Sequence, residues 1–268
     1  MKLAWLTDIH LNFLDKEMRN NFYQEIISTK CDAVLISGDI AEATDVKELL
    51  TEMLDCIRKP IYFVLGNHDY YRGQIEEVKA AMIALCKENS QLYWLPECGM
   101  QILTDKTILL GQDGWADGRY GDYANSRVSL NDSRLISDLF QEKIIGKFKL
   151  LDKMQQLADN DASHMRIDLQ QAVNRHPDKI IVLTHVPPFK EACMYNGKIS
   201  DDDWLPYFSS KVIGDLLIEI AEANPSIEFL TLCGHTHGEA NYQPLDNLII
   251  EVGAAEYYHP TIQKMIFI

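Results

Sequence analysis

The sequence has no Cys-x-x-Cys pair, no internal repeat, no low-complexity tail and no apolar run long enough to cross a bilayer. Its six cysteines (Cys31, Cys56, Cys86, Cys98, Cys193 and Cys233) are scattered, most of them in or beside apolar segments. Free thiols in a reducing compartment fit that pattern better than a disulfide framework, and a zinc–thiolate site would require the fold to gather distant positions. Basic residues are few: 25 lysines and arginines stand against 40 acids, a formal charge of −15. Such a field repels long polyanions and disfavours broad binding of DNA or RNA, although bound cations can reverse it locally for a small phosphorylated ligand. The opening stretch Leu3–Thr7 is too short for a secretory leader, and Asp8 and His10 interrupt it. The expectation is a cytoplasmic protein without membrane contact.

What is present is a chain of 268 residues patterned as an α/β protein, expected as one domain over residues 1–268, with two sheets and flanking helices. Leu3–Thr7, Ala33–Ser37 and Ile61–Leu65 read as buried parallel strands. Between them, Asn20–Thr29 places Phe22, Ile26 and Ile27 at helical spacing, and Asp45 is a cap candidate for a helix turning Leu49, Leu50, Met53 and Leu54 inward. Residues 75–85 read as a helix, and 92–95, 101–103 and 107–110 as shorter strands. Residues 132–176 read as helical, capped by Asp132 or Ser133, with Leu135, Ile136, Leu139 and Phe140 as a stripe and Gly146 as a divider. Residues 180–183, 229–232, 248–252 and 262–267 read as strands, with a helix over 209–223.

Five clusters of polar residues begin where apolar runs end: Asp8-Ile9-His10, Gly38-Asp39, Gly66-Asn67-His68-Asp69, His185, and Gly234-His235-Thr236-His237. In successive βαβ units the ligand-binding loops lie at the carboxyl ends of the strands, so these clusters are expected at one edge of the sheets. Asp8 and His10, two positions apart, would share a side if the strand end stays extended. The carboxylate of Asp39 has two oxygens with which to bridge two cations, and Gly38 permits a tight exit of the backbone. Each cluster also has a plainer reading alone. Asp8, His10 and Asp39 could simply meet solvent, Asn67 could cap a turn, and His68 or His185 could be hydrogen-bonded loop histidines. Their joint recurrence at strand ends favours a metal site built of carboxylate, imidazole and carboxamide.

With these motifs in order over residues 8–237, the sequence resembles the calcineurin-like metallophosphoesterase superfamily. The resemblance implies a two-sheet α/β sandwich with two divalent cations at the strand ends. Asp8, His10, Asp39 and His237 would surround the first, and Asp39, Asn67, His185 and His235 the second. His68 would stand outside both, facing the phosphate and its leaving group. The mixed donors suit Mn²⁺, Fe²⁺ or Zn²⁺ better than Ca²⁺. Gly38-Asp39-Ile40-Ala41-Glu42 lacks the Asp-Arg-Gly element of the phosphoprotein phosphatase branch, which lowers the case for that activity.

The expected reaction is therefore metal-dependent hydrolysis of a small phosphodiester or phosphomonoester. A nuclease, a phosphoprotein phosphatase and a non-catalytic metal-bound scaffold are the alternatives, and oligomeric state is open. Glu42 either orients His68 or solvates a helix start, and Asp69 either supports the His68 loop or forms an Asx turn. Residues 111–127, with Trp115, Arg119, Tyr120, Tyr123 and Arg127, form one rim candidate, whose aromatics read either as ligand contacts or as loop anchors. Arg72 either approaches phosphate or faces solvent. Residues 187–207, with Phe189, Tyr195, Trp204 and the acids Asp201, Asp202 and Asp203, form the other rim. The triple acid reads as a solvated turn rather than another metal site.

Overall fold

The computed structural model describes residues 1–268. The first half of the chain runs β1 (Lys2–Leu6), α1 (Lys16–Ser28), β2 (Ala33–Ser37), α2 (Val46–Ile57), β3 (Ile61–Val64) and α3 (Ile75–Glu88). It continues through β4 (Leu92–Trp94), α4 (Leu95–Cys98), β5 (Gln101–Thr104) and β6 (Thr107–Gly111) to three helices in series, α5 (Asp132–Leu135), α6 (Ser137–Ile145) and α7 (Lys147–Val173). After β7 (Lys179–Leu183) comes a small hairpin, β8 (Met194–Tyr195) and β9 (Lys198–Ile199), followed by α8 (Leu205–Phe208) and α9 (Lys211–Ala223). The strands β10 (Glu228–Cys233), β11 (Ala240–Leu245), β12 (Leu248–Val252) and β13 (Lys264–Phe267) close the chain.

Two sheets result, ordered β13-β1-β2-β3-β4 and β11-β12-β10-β7-β6-β5. The inner strands pair in parallel, while β13, β11 and β5 add antiparallel edges. The continuous apolar runs have a direct cause, since both faces of each sheet are covered. Along β1, Leu3 and Trp5 belong to the layer between the sheets, with Leu35, Val64, Leu109, Ile181, Leu183, Leu230 and Leu232. Ala4 and Leu6 point the other way, into a cluster with Phe22 and Ile26 of α1, Leu50 and Met53 of α2, and Met82 of α3. On the far side of the second sheet, Met165 and Leu169 of α7 and Ile213 and Leu217 of α9 cover Ile180, Val182 and Phe229. This is a four-layer α/β/β/α sandwich.

Several local expectations change. The first helix begins at Lys16 rather than Asn20, because the Asp15 carboxylate accepts the Met18 N–H at 2.8 Å and caps it. Ile27 on that helix and Phe140 on α6 are exposed rather than inward. Asp45 precedes α2 without capping it through its side chain, and accepts from the Thr44 hydroxyl instead. Asp132 and Ser133 are not caps either, since α5 starts without a side-chain cap. All six cysteines are free thiols. No helix is long and apolar enough to cross a membrane.

Candidate metal centre

The strand ends deliver the clusters to one edge of the sandwich. Beyond β1 and β2 the two loops stay paired, with Asp8 N–H donating to Gly38 O at 3.0 Å and His10 N–H to Asp39 O at 3.1 Å. Asp8 and His10 do not continue the strand, however. Their φ angles of 48° and 40° are left-handed, as are those of Asp39 (53°), His235 (73°) and His237 (58°). Residues with a Cβ avoid this region, and each such placement carries on the order of 1 kcal/mol of strain or more. Convergence of Asp8 and His10 thus comes from strained turns, not from the period of an extended strand.

Two neighbouring glycines are required by close approach. At Gly38, with φ of 96°, a Cβ would sit 2.5 Å from His185 Nδ1. At Gly234 it would overlap the Asp8 carboxylate and the Thr7 hydroxyl. The His235 N–H meanwhile donates to both Asp8 oxygens at 3.0 and 3.1 Å, pinning that carboxylate.

Donor atoms of Asp8, His10, Asp39 and His237 all lie within 4.8 Å of one another, a metal-coordinating cluster. His10 Nε2 is 3.4 Å from His237 Nε2 and 3.8 Å from Asp39 Oδ2, and His237 Nε2 is 3.4 Å from Asp8 Oδ1. Beside it, His185 Nε2 stands 3.0 Å from Asn67 Oδ1 and 3.3 Å from Asp39 Oδ1, and His235 Nδ1 stands 2.9 Å from the same Asn67 oxygen. Ligands about 2.1 Å from one cation lie about 3.0 Å apart at right angles and about 3.4 Å apart at tetrahedral angles. The shorter spacings, 2.9 to 3.4 Å, match that range, and the 3.8 Å between His10 and Asp39 is wider.

The tautomers make the stronger test. His185 Nδ1 lies 2.9 Å from the Ser37 carbonyl, and His235 Nε2 lies 2.9 Å from the Tyr207 carbonyl. A carbonyl only accepts, so both outer nitrogens carry the proton. In the neutral rings the inner nitrogens are then bare and face the Asn67 oxygen. That oxygen is itself fixed inward, because Asn67 Nδ2 donates to Tyr71 Oη at 3.0 Å and to Asp132 Oδ1 at 2.8 Å. Lone pairs pointing at lone pairs in a buried site require a proton or a cation between them. Without a cation a proton serves: burial opposes the charge on His185, but Asp39 and Asp8 outweigh it and push its pKa up to about 10. Burial takes His10 the other way, down to about 4, against the pull of Asp39 and Asp8. Burial would raise Asp39 as well, yet His185, His68 and His10 hold its carboxyl well below the usual range.

His68 lies beside this group. Its N–H donates to Asp39 Oδ1 at 2.9 Å, its ring stacks on Tyr71 at 4.2 Å, and its Nε2 is 3.9 Å from Asp39 Oδ2. Its Nδ1 is buried without a partner. All eight candidate residues from the sequence therefore meet at this edge. Residues without a sequence signal join them. Asp132 also accepts from Tyr71 Oη at 2.6 Å, and the Tyr257 ring lies 4.7 Å from His10 and 5.1 Å from His237.

The other candidates are placed elsewhere. Glu42, largely buried, accepts from the exposed Arg72 Nε at 2.5 Å, and neither residue lines the cleft over the site. Asp69 forms a clasp between two loops, taking the N–H groups of Ile40, Ala41 and Gly66 at 2.8 to 2.9 Å. Arg119 is spent on Asp117 and Asp159, and Trp115 and Tyr123 are buried anchors. The Asp201 carboxylate accepts from Asp203 N–H and Trp204 N–H, the expected turn.

Over the site opens a cleft of about 260 Å³ bounded by Asp39, Asn67, His68, Tyr71, Asp132, Tyr195, Phe208, His235, His237 and Tyr257, with Leu130, Asn131 and Thr236. No lysine or arginine lines it, so a phosphate there would meet carboxylates unless cations intervene.

Two-sheet architecture and strand-end cluster together define a metallophosphoesterase-type site. The chain belongs to the calcineurin-like phosphoesterase family, whose match spans residues 1–239. No curated protein sequence matches it. Among solved structures, it is similar to a phosphopantetheinyl hydrolase from Mycobacterium tuberculosis, at 13% identity and a TM-score of 0.59, covering 96% of this chain and 90% of that one. A dimetal phosphatase from Danio rerio gives 9% identity and 0.60, covering 95% and 87%, and the protein TT1561 from Thermus thermophilus gives 11% and 0.55, covering 94% and 88%. At such identities these likenesses concern the fold.

Proposed function

We propose that the chain hydrolyses small phosphate esters with two divalent cations, one held by Asp8, His10, Asp39 and His237 and the other by Asp39, Asn67, His185 and His235. The observation that carries this reading is the pair of inward imidazole nitrogens facing the Asn67 oxygen, each with its outer nitrogen committed to a carbonyl. The names of two structural relatives, a phosphopantetheinyl hydrolase and a dimetal phosphatase, fit the same class. Mixed nitrogen and oxygen donors favour Mn²⁺, Fe²⁺ or Zn²⁺.

Such cations, when bound, supply an acidified water and neutralise the phosphate oxygens. The protein supplies order. Asp39 offers one oxygen to each side, while Asp132 and Tyr71 keep the Asn67 amide from rotating. His68, stacked on Tyr71, holds a proton for the departing ester oxygen. The lack of any cationic side chain around the cleft supports a compact substrate over an extended nucleic acid, and the missing Asp-Arg-Gly element weighs against a dedicated protein phosphatase.

Calorimetric titration with Mn²⁺ should count two ions per chain, and a screen of monoesters, cyclic diesters and linear diesters should show turnover only with metal. His68→Ala should keep both ions and lose about 10² to 10⁴ in kcat. A single ion, or unchanged turnover in that variant, would refute the proposal.

A further inference from the structure

A second hollow adjoins the metal cleft. It has a volume of about 500 Å³ and is lined by Tyr195, Ile199, Trp204 and Phe208, with Lys198, Ser200 and Asp201 between them. Tyr195 and Phe208 line both spaces, so a ligand can pass from one to the other without leaving the protein surface. Phe208 also stands edge-on to His235, with ring centroids 5.4 Å apart at 88°, which places the opening on the Asn67 side of the centre.

The apolar part of the wall is open to water. Tyr195 is 55% exposed, Ile199 52% and Trp204 41%. Exposed apolar side chains grouped at the edge of a functional cleft mark a surface that gains from being covered. They are also held in place. Asn196 and Gly197, both with positive φ, form the tight turn between β8 and β9. The Cys193 thiol donates to the Phe208 carbonyl at 3.0 Å, and Asp122 N–H donates to Asp202 O at 2.8 Å, tying this rim to residues 111–127. The Trp204 and Phe208 rings lie 5.3 Å apart, inclined by 33°. Lys198, Ser200 and Asp201 add polar groups to this wall, and the Ser200 hydroxyl oxygen is buried in it without a hydrogen-bond partner.

We infer that this hollow is a specificity pocket for the ester group of the substrate, and that it selects phosphate esters whose alcohol carries a flat aromatic ring a few bonds from the esterified oxygen. Aromatic walls provide stacking, and the volume accommodates a ring system. The inference names the substrate class for the hydrolysis proposed above and rests on that reading.

The test uses hydrolysis-resistant probes with the Mn²⁺-loaded protein: 2-(2-naphthyl)ethylphosphonate and ethylphosphonate, compared by calorimetry. The aromatic probe should bind about tenfold more tightly or better. Trp204→Ala should erase that margin and leave ethylphosphonate binding unchanged, and Tyr195→Ala, at an exposed position, should reduce it independently. Trp5, Trp94 and Trp115 are buried, so a change in tryptophan emission on binding should vanish in the Trp204 variant. Equal affinities, no binding of the aromatic probe, or a shift of Trp204 emission with protein concentration alone, as self-association through this face would give, overturns the pocket. Turnover of ethyl and naphthylethyl phosphates separates the two claims. A binding margin without turnover of either ester keeps the pocket and defeats the hydrolase reading; equal turnover and equal binding do the reverse.

Discussion

Two pairs of buried carboxylates, a front pair of Asp8 and Asp39 at strand ends and a rear pair of Asp113 with Asp161 of α7, differ in what completes them. At the rear, Asp113 Oδ1 accepts from Leu65 N–H at 2.8 Å and Trp94 Nε1 at 2.9 Å, and Oδ2 accepts from Tyr70 Oη at 2.5 Å. Asp161 beside it accepts from Gly114 N–H at 2.9 Å. Three neighbours aim a hydrogen at Asp113 and one at Asp161. At the front, Asp39 and Asn67 face His185 and His235, whose protons point outward to carbonyls. Acid count and burial are similar in the two groups. The direction of the donors separates a structural knot, hydrogen-bonded by the protein alone, from a site whose facing lone pairs leave room for a proton or a cation.

The contrast breaks most visibly at Asp39, whose oxygens face both halves of the front group. Asp39→Ala should drop turnover to background and lower the number of bound Mn²⁺ ions, as read by calorimetry and by metal analysis after dialysis. Retention of two ions with intact affinity would mean that the front group is held together by protein contacts, as the rear one is.

A smaller effect should follow at Asp132, which belongs to neither group but orients the front one. Asp132→Ala frees the Asn67 amide to rotate, leaving Tyr71 as its only fixed partner. The affinity of one of two Mn²⁺ ions should fall about 10 to 100-fold while the other is unmoved, a split visible in a two-site titration. A uniform loss at both sites would assign Asp132 to the stability of the fold instead.

Asp132 also shows where reading the chain from its sequence stops. The ligand motifs were legible because burial on both sheet faces makes each strand a continuous apolar run, and its end is then conspicuous. All eight site candidates came from that signal. Asp132 lies 65 residues from the amide it holds, and Asn131-Asp132-Ser133 reads locally as a helix cap. Tyr257 reaches the site through a loop with no motif of its own. Charge partners were equally opaque. Arg72 reads from the sequence either as a phosphate contact or as a solvent-facing side chain, and Arg119 as part of a rim, but Glu42, Asp117 and Asp159 claim them through contacts that no periodicity encodes. The same limit explains Phe140, whose helical spacing matches the core stripe although that side of α6 has no element over it.

The rear group offers the gentlest test, one that should leave metal and turnover alone. Burial first, and then the charge of Asp113, push Asp161 up to about 7, against the pull of Lys79 and the Gly114 N–H. In the unfolded chain this carboxyl releases its proton near the ordinary value of 3.8, so between there and about pH 7 it holds more proton in the folded state than in the unfolded one. The contribution of Asp161 to stability must therefore fall as pH rises through that window and level off above it. Asp161→Asn keeps an oxygen for Gly114 and cannot ionise. Its stability advantage over the parent should grow by on the order of 2 kcal/mol from pH 5 to pH 8, read from urea midpoints of chelated protein. Taking the difference between variant and parent cancels the titration of the front histidines, which both proteins share. A flat difference would place the Asp161 charge in solvent contact, and a changed Mn²⁺ count would join the two groups into one electrostatic unit.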